Sequence, residues 1–148
     1  MPKRTQVRSV LFVLLCLLLI VGLWPWRYLA SPKWEVQVID PYGNPVPGIS
    51  TRLVYQNYSV ETHAHEITLK TDERGQVVFS PQHERASAFQ WVFFTARSAM
   101  GGAHASFGRS AFILAFGDRY SERYADSDET DWSGHSDTMK SIIVANRE

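Results

Sequence analysis

The sequence predicts an all-β body, an antiparallel β-sandwich of about seven strands, behind one N-terminal transmembrane helix. Three observations carry this prediction. Residues 10–26 hold no charge. Beyond them, several segments alternate apolar and polar residues with the period of two that half-buried strands require. Clusters of glycine, proline and aspartate separate those segments, and no helix-period pattern interrupts them.

The first nine residues are basic, with Lys3, Arg4 and Arg8 and no acid. The uncharged run that follows, Val10 to Trp26, is seventeen residues long. A spanning helix needs about 20 apolar residues, with a lower limit of about 17. Trp24, Trp26 and Tyr28 stand where an interfacial aromatic belt would lie. Three basic residues precede the run, and Arg27 and Lys33 follow it, which favours a cytoplasmic N-terminus and an extracytoplasmic body, periplasmic in a bacterium. A cleaved signal peptide, leaving a secreted body, is the alternative. Cleavage after Ala30 would place Tyr28 at −3, where a small residue is wanted. The expected organisation is therefore a cytoplasmic tail over 1–9, a span over 10–26, a short juxtamembrane linker over 27–33 and a body over 34–148.

Within the body, "WEVQVID" places Trp34, Val36 and Val38 on one face. "ISTRLVY" does the same with Ile49, Thr51, Leu53 and Tyr55, and "HEITLKT" with Ile67, Leu69 and Thr71. "TDERGQVVF" reads as a turn and then a strand with Val77 and Phe79 inward. "AFQWVFFTA", Ala88 to Ala96, is nearly all apolar and is expected as a central strand covered on both faces, its aromatics in the core. "AMGGAH" reads as a hairpin connection, "SAFILAFG" as a further strand, "DRYSERYAD" as a short helical turn and "MKSIIVAN" as the last strand.

The stretch "DPYGNPVPG" has its own logic. Pro41 sets φ for the second position of a tight turn, and Gly43 accepts the conformation that closes it. Pro45 and Pro47 lack amide donors, so the segment cannot be a fully paired central strand. With Asp40, Gly43, Pro45, Val46 and Gly48, and later Thr71, Asp72, Gly75 and Phe79, residues 34–80 resemble the carboxypeptidase regulatory-like group of prealbumin-like β-sandwich domains. The resemblance implies that fold and a role as spacer, adhesive or accessory module, with no particular activity. Ile39 stands where related collagen-adhesin-type modules carry a crosslinking lysine, so the resemblance does not extend to that crosslink.

Candidate chemistry is sparse. In "THAHE", a regular strand would project His63 and His65 to one face, about 6.5–7 Å apart, where they could share a metal with Glu61 or Glu66 and a distant third ligand such as His104 or His135. The plainer reading is two histidines at a sheet margin, on one face with Ile67 and Leu69. The acidic segment around Asp126, Asp128, Glu129, Asp131 and Asp137 is rich in oxygen ligands but lacks the EF-hand order, which leaves a solvated loop. Trp132, inside that segment, is less easily placed in a core, and if exposed it would offer a contact for protein or sugar. Ser110 beside Arg109 has no local base, and no nucleophile elbow is present. "NYS", Asn57 to Ser59, fits the glycosylation sequon. No motif implies a cofactor.

Charge narrows the partners. The chain is neutral overall, but the first 33 residues carry five bases and no acid, leaving ten bases against fifteen acids, a net of −5, in the body. A negative body is a poor match for nucleic acid. The single cysteine, Cys16, lies in the apolar run, so packing alone must hold the body together. The reading that follows is a non-enzymatic membrane-anchored module, held by residues 10–26, with a structural or protein-interaction role in the cell envelope. A domain binding a small ligand, carbohydrate or metal is the alternative, and a secreted hydrolase a third reading.

Overall fold

The computed structural model describes residues 4–102, 105–117, 120–124, 132 and 134–146. An apolar helix α1, Arg4–Leu23, opens the chain. Its 20 residues span about 30 Å, the thickness of a bilayer's hydrocarbon core. The window Gln6–Leu23 has a mean hydropathy of 2.4 and is long and apolar enough to cross a membrane. Pro25 ends it, because the residue before a proline is pushed out of helical geometry.

Residues 27–33, expected as a linker, are built into the body. After Trp24 and Pro25 the chain enters strand β1, Trp26–Ser31, which pairs antiparallel with β6, Gln82–Ala86. The remaining strands are β2 (Lys33–Ile39), β3 (Ser50–Asn57), β4 (His65–Lys70), β5 (Gln76–Phe79), β7 (Arg109–Gly117), β8 (Tyr120–Tyr124) and β9 (Thr138–Val144). One sheet runs β5-β2-β9 and another β4-β3-β7-β8. The body is thus mostly β, with nine strands among the described residues rather than about seven. It is not wholly antiparallel, because β9 runs parallel to β2 from Lys33↔Thr138 to Ile39↔Val144.

Alternation was a sound guide on three strands but not on β4, where Ile67 is half-buried and Leu69 exposed. Trp34, Val36 and Val38 are buried on β2, Thr51, Leu53 and Tyr55 on β3, and Val77 and Phe79 on β5. All of these but Thr51 join Ile113 of β7 and Ile143 of β9 in one hydrophobic cluster fed by both larger sheets. Inside it, the Trp34 indole Nε1 donates to Ser141 Oγ at 2.8 Å, so the buried ring keeps its one polar atom satisfied.

The apolar stretch 88–96 is not a strand. It lies in helix α2, Ala88–Ala99, which contributes no buried residue. Ser87 and Gln90 form a reciprocal capping box: the Gln90 amide donates to Ser87 Oγ at 3.2 Å, and the Ser87 amide to Gln90 Oε1 at 2.8 Å. The expected core aromatics therefore sit at the surface, with Phe93 exposed and Trp91 and Phe94 half-buried. "AMGG" closes this helix at Met100 rather than turning a hairpin. The described part of "DRYSERYAD" is β8, not a helical turn.

Two corners share one geometry. At Asp40, Oδ1 accepts from the amides of Tyr42 (2.9 Å) and Asn44 (2.8 Å), and the Gly43 amide returns to the Asp40 carbonyl at 3.0 Å. At Asp72, Oδ1 accepts from Arg74 (2.9 Å) and Gln76 (2.8 Å), and Gly75 returns to the Asp72 carbonyl at 2.9 Å. These aspartates cap their own turns, as short acceptor side chains do. The corners also meet. The Val38 amide donates to the Gly75 carbonyl (2.8 Å), Thr71 Oγ1 donates to the Val46 carbonyl (2.8 Å), and Ile49 donates to Thr71 Oγ1 (3.1 Å).

Gly75 is the tightest point of this contact. Its φ is +69°, and a Cβ there would stand 2.5 Å from the Val38 carbonyl oxygen. Gly43 has φ +86° but open space around it. Gly43→Ala is expected to cost only the left-handed strain, about 1–2 kcal/mol. Gly75→Ala adds overpacking of about 1–3 kcal/mol against backbone that cannot yield. Denaturant midpoints of the two variants in micelles check the order; equal losses would contradict the close contact.

Candidate functional site

Of the sequence candidates, the structure assembles part of one. His63 precedes β4 in a bend, so the strand alternation that was to align it with His65 does not reach it. His63 Nδ1 lies 3.0 Å from Thr62 Oγ1. His65 opens β4, and its Nε2 lies 2.7 Å from Glu61 Oε2. The ring stacks on Tyr55 at 5.1 Å and 16°. Glu66 points away to Arg52, 3.1 Å from its guanidinium. Among the described residues, no group of three or more histidine, cysteine, aspartate or glutamate side chains is placed to hold a metal. His104 and most of the acidic segment, Asp126, Asp128, Glu129 and Asp131, lie outside the described residues.

Glu61 is the centre of what is assembled. Its second oxygen, Oε1, accepts from the Asn57 amide at 2.7 Å. The Glu61 and Val60 amides both return to the Asn57 carbonyl, at 3.0 and 2.9 Å. The carboxylate thus closes the turn after β3 with one oxygen and holds His65 with the other. Glu84 of β6 approaches the same place opposite Tyr28 of β1. Two phenols face the two carboxylates. Burial pushes the Tyr28 hydroxyl up to about 12, helped by the charge of Glu61, while Asn57 works in the opposite direction. Burial also raises Tyr55, followed by the charges of Glu84 and Glu61. Both phenols therefore stay protonated at neutral pH, and Tyr55 is hydrogen-bonded to Glu84.

Beside this cluster, between α2 and the 57–62 turn, lies an open groove of about 420 Å³. Gln56, Glu61, Thr62 and Arg97 supply its polar lining, and Tyr58 and Phe94 its aromatic one. Sequence reasoning missed this place because α2 was read as a strand. The S-x-x-Q start of that helix was the signal that could have found it.

Trp132 is corrected outright. It is 3% exposed and belongs to the core cluster. Its backbone exchanges hydrogen bonds with Ala111 at 2.9 and 3.1 Å, its Nε1 donates to the Ser136 carbonyl at 2.7 Å, and the Arg109 guanidinium covers the ring at 5.3 Å. Arg109, noted only as the neighbour of Ser110, also donates to the Leu29 carbonyl at 3.0 Å. The sequon is buried too: Asn57 is 0% exposed and its Oδ1 accepts from the Ser59 amide. A folded chain cannot offer it to a glycosylating enzyme.

No protein-family model matches the chain, and no curated protein matches it. Among solved structures, 3-chlorocatechol 1,2-dioxygenase from Rhodococcus opacus 1CP is similar in fold, with a TM-score of 0.53 over 86% of this chain at 10% identity. The match spans 64% of that enzyme's chain. At this identity the likeness is one of fold alone.

The phenol pair gives a pH prediction. Tyr28 titrates near 12 folded and at its ordinary value of 10.0 unfolded, so the unfolded chain releases this proton first. The stabilisation is complete below pH 10 and declines as the pH rises toward 12. Tyr28→Phe should flatten this part of the stability–pH profile measured by circular dichroism; an unchanged slope would refute the assignment.

Proposed function

We propose that the chain is a membrane-anchored, extracytoplasmic β-sandwich module of the carboxypeptidase regulatory-like kind, with a non-enzymatic structural or protein-interaction role in the cell envelope. One observation carries the anchored reading. The body begins only two residues after α1, and its first strand is part of the core, with Ala30 1% and Ser31 0% exposed. Signal cleavage at Ala30 would sever β1 from the sheet it makes with β6. The positive residues Lys3, Arg4 and Arg8 support an N-terminus left in the cytoplasm.

The sandwich reading is supported by the common hydrophobic cluster of the two larger sheets and by the paired aspartate corners. The interaction role is supported by the outer face of β5-β2-β9. There Glu35 lies between Lys33 (2.7 Å) and Lys140 (3.2 Å), and Val78 and Ile142 are exposed beside them. Hydrogen bonds from Lys33 and then Lys140 hold the Glu35 carboxyl below its usual value, so this triad stays ionised on the surface. Against the metal alternative, His65 is already committed to Glu61 and Tyr55.

Fractionation of cells producing the full chain tests the anchor. The expected result is a chain of 16.9 kDa that stays with the membrane through a carbonate wash. Release at a mass lacking about 30 residues would show a cleaved signal instead.

A further inference from the structure

Helix α2 is capped as a proper helix yet buries nothing, and its exposed side is its apolar one. Phe89, Val92, Phe93, Ala96 and Met100 recur at three- and four-residue spacing, which aligns them on one face. Val92 is 69%, Phe93 61% and Met100 88% exposed. The opposite side is the one that touches the body: Trp91 meets Tyr28 edge-to-face at 5.8 Å, and Ser98 Oγ donates to the Tyr58 carbonyl at 3.3 Å. The apolar face is thus held outward by contacts on its back.

Its location says what it faces. Phe89 packs on the last turn of α1, so closely that a Cβ on Gly22 would stand 2.5 Å from the ring. At the other end of the junction, Trp26 pairs with Ala86, and Ser87 caps α2 immediately afterwards. Trp24 and Trp26 are exposed at the same place. A bilayer that surrounds α1 therefore ends where α2 begins, and α2 carries its apolar face away from that point over about 18 Å.

A second, independent observation lies next to it. Arg27 and Arg85 are direct cross-strand partners in the β1–β6 pair, on the exposed side, and neither forms an ion pair with a described residue. Like charges directly opposite one another destabilise a strand pair unless an anion sits between them. Guanidinium groups hold phosphate oxygens through paired hydrogen bonds.

Resting on the reading of α1 as a span, we propose that α2 lies in the interfacial layer of the same bilayer. Phe89, Val92, Phe93 and Met100 enter the acyl boundary, and the Arg27–Arg85 pair engages lipid phosphates. A body so held has two attachments, a span and an interfacial helix, and presents one fixed side to the membrane. Helices of this kind sit about 5–10 Å into the headgroup–acyl boundary.

Spin labels on the full chain, reconstituted in vesicles of phosphatidylethanolamine and phosphatidylglycerol, test this. Single cysteines are placed in a Cys16→Ser background at Val92, Phe93 and Thr95, and at Leu15 as a reference within the span. The expected result is high oxygen collision and low collision with an aqueous nickel chelate at Val92→Cys, Phe93→Cys and Leu15→Cys, and the reverse at Thr95→Cys. Chelate access at Val92→Cys and Phe93→Cys with Leu15→Cys shielded would overturn the proposal alone. Chelate access at Leu15→Cys would overturn the span and the proposal with it. Shielding of Val92→Cys and Phe93→Cys from both reagents, with dipolar broadening, would assign the face to a second copy of the chain and overturn the lipid contact. Arg27→Gln with Arg85→Gln is expected to raise chelate access at Val92→Cys; no change would remove the arginines from the contact.

Discussion

The contact between the two aspartate corners is the constraint from which the rest of the body follows. Each corner reverses the chain with the same acceptor, an aspartate oxygen bound to two amides, and the same closing glycine. Thr71 Oγ1 then ties one corner to the other by donating to the Val46 carbonyl and accepting from the Ile49 amide, and the Gly75 carbonyl accepts from the Val38 amide. Because Gly75 admits no side chain, the two turns approach at backbone distance. This fixes where β2 ends, where β3 begins and where β5 starts. With those three placed, Trp34, Val36, Val38, Leu53, Val77 and Phe79 have a common interior to fill. A corner of this kind specifies position through hydrogen bonds and leaves the energy to burial, a division that suits a body without disulfides.

The same economy appears where α1 meets the body. No flexible linker separates α1 from the body, since β1 starts at Trp26 and its last residues are buried. Only Trp24 and Pro25 stand between α1 and this strand, which is itself paired with β6. The carboxylate–phenol cluster lies just behind that pair and joins β1, β3 and β6 through Tyr28, Tyr55, Glu61 and Glu84.

Much of this was legible in the sequence, for a physical reason. Strict alternation survives wherever one face is buried and the other wet, and Trp34–Val38 and Val77–Phe79 obey it, whereas on β3 Val54 of the opposite face is buried beside Thr51, Leu53 and Tyr55. The corners were legible because Asp, Pro and Gly act locally on their own backbone. What failed was non-local or ambiguous. An apolar run such as 88–96 fits a buried strand by composition, and only the Ser87–Gln90 spacing marks the helix. The polar "QHERA" of β6 has too little contrast to announce a strand. The parallel partnership of β9 with β2 is set by topology, which no local pattern records. His63 and His65 were aligned on an assumed strand that begins only at His65. Trp132 was placed in a solvated loop because its neighbours are acidic, whereas its cover comes from Arg109 and Ala111, far away in the chain.

Hydrogen exchange by NMR on the full chain in micelles tests the central claim most directly, at the amides of Val38, Val46, Gly48 and Thr71. If the two corners are one unit, these amides open together, with the same free energy, and Thr71→Val lowers that value at all four. Separate opening energies, or a loss confined to Ile49 and Thr71 in the variant, would contradict it.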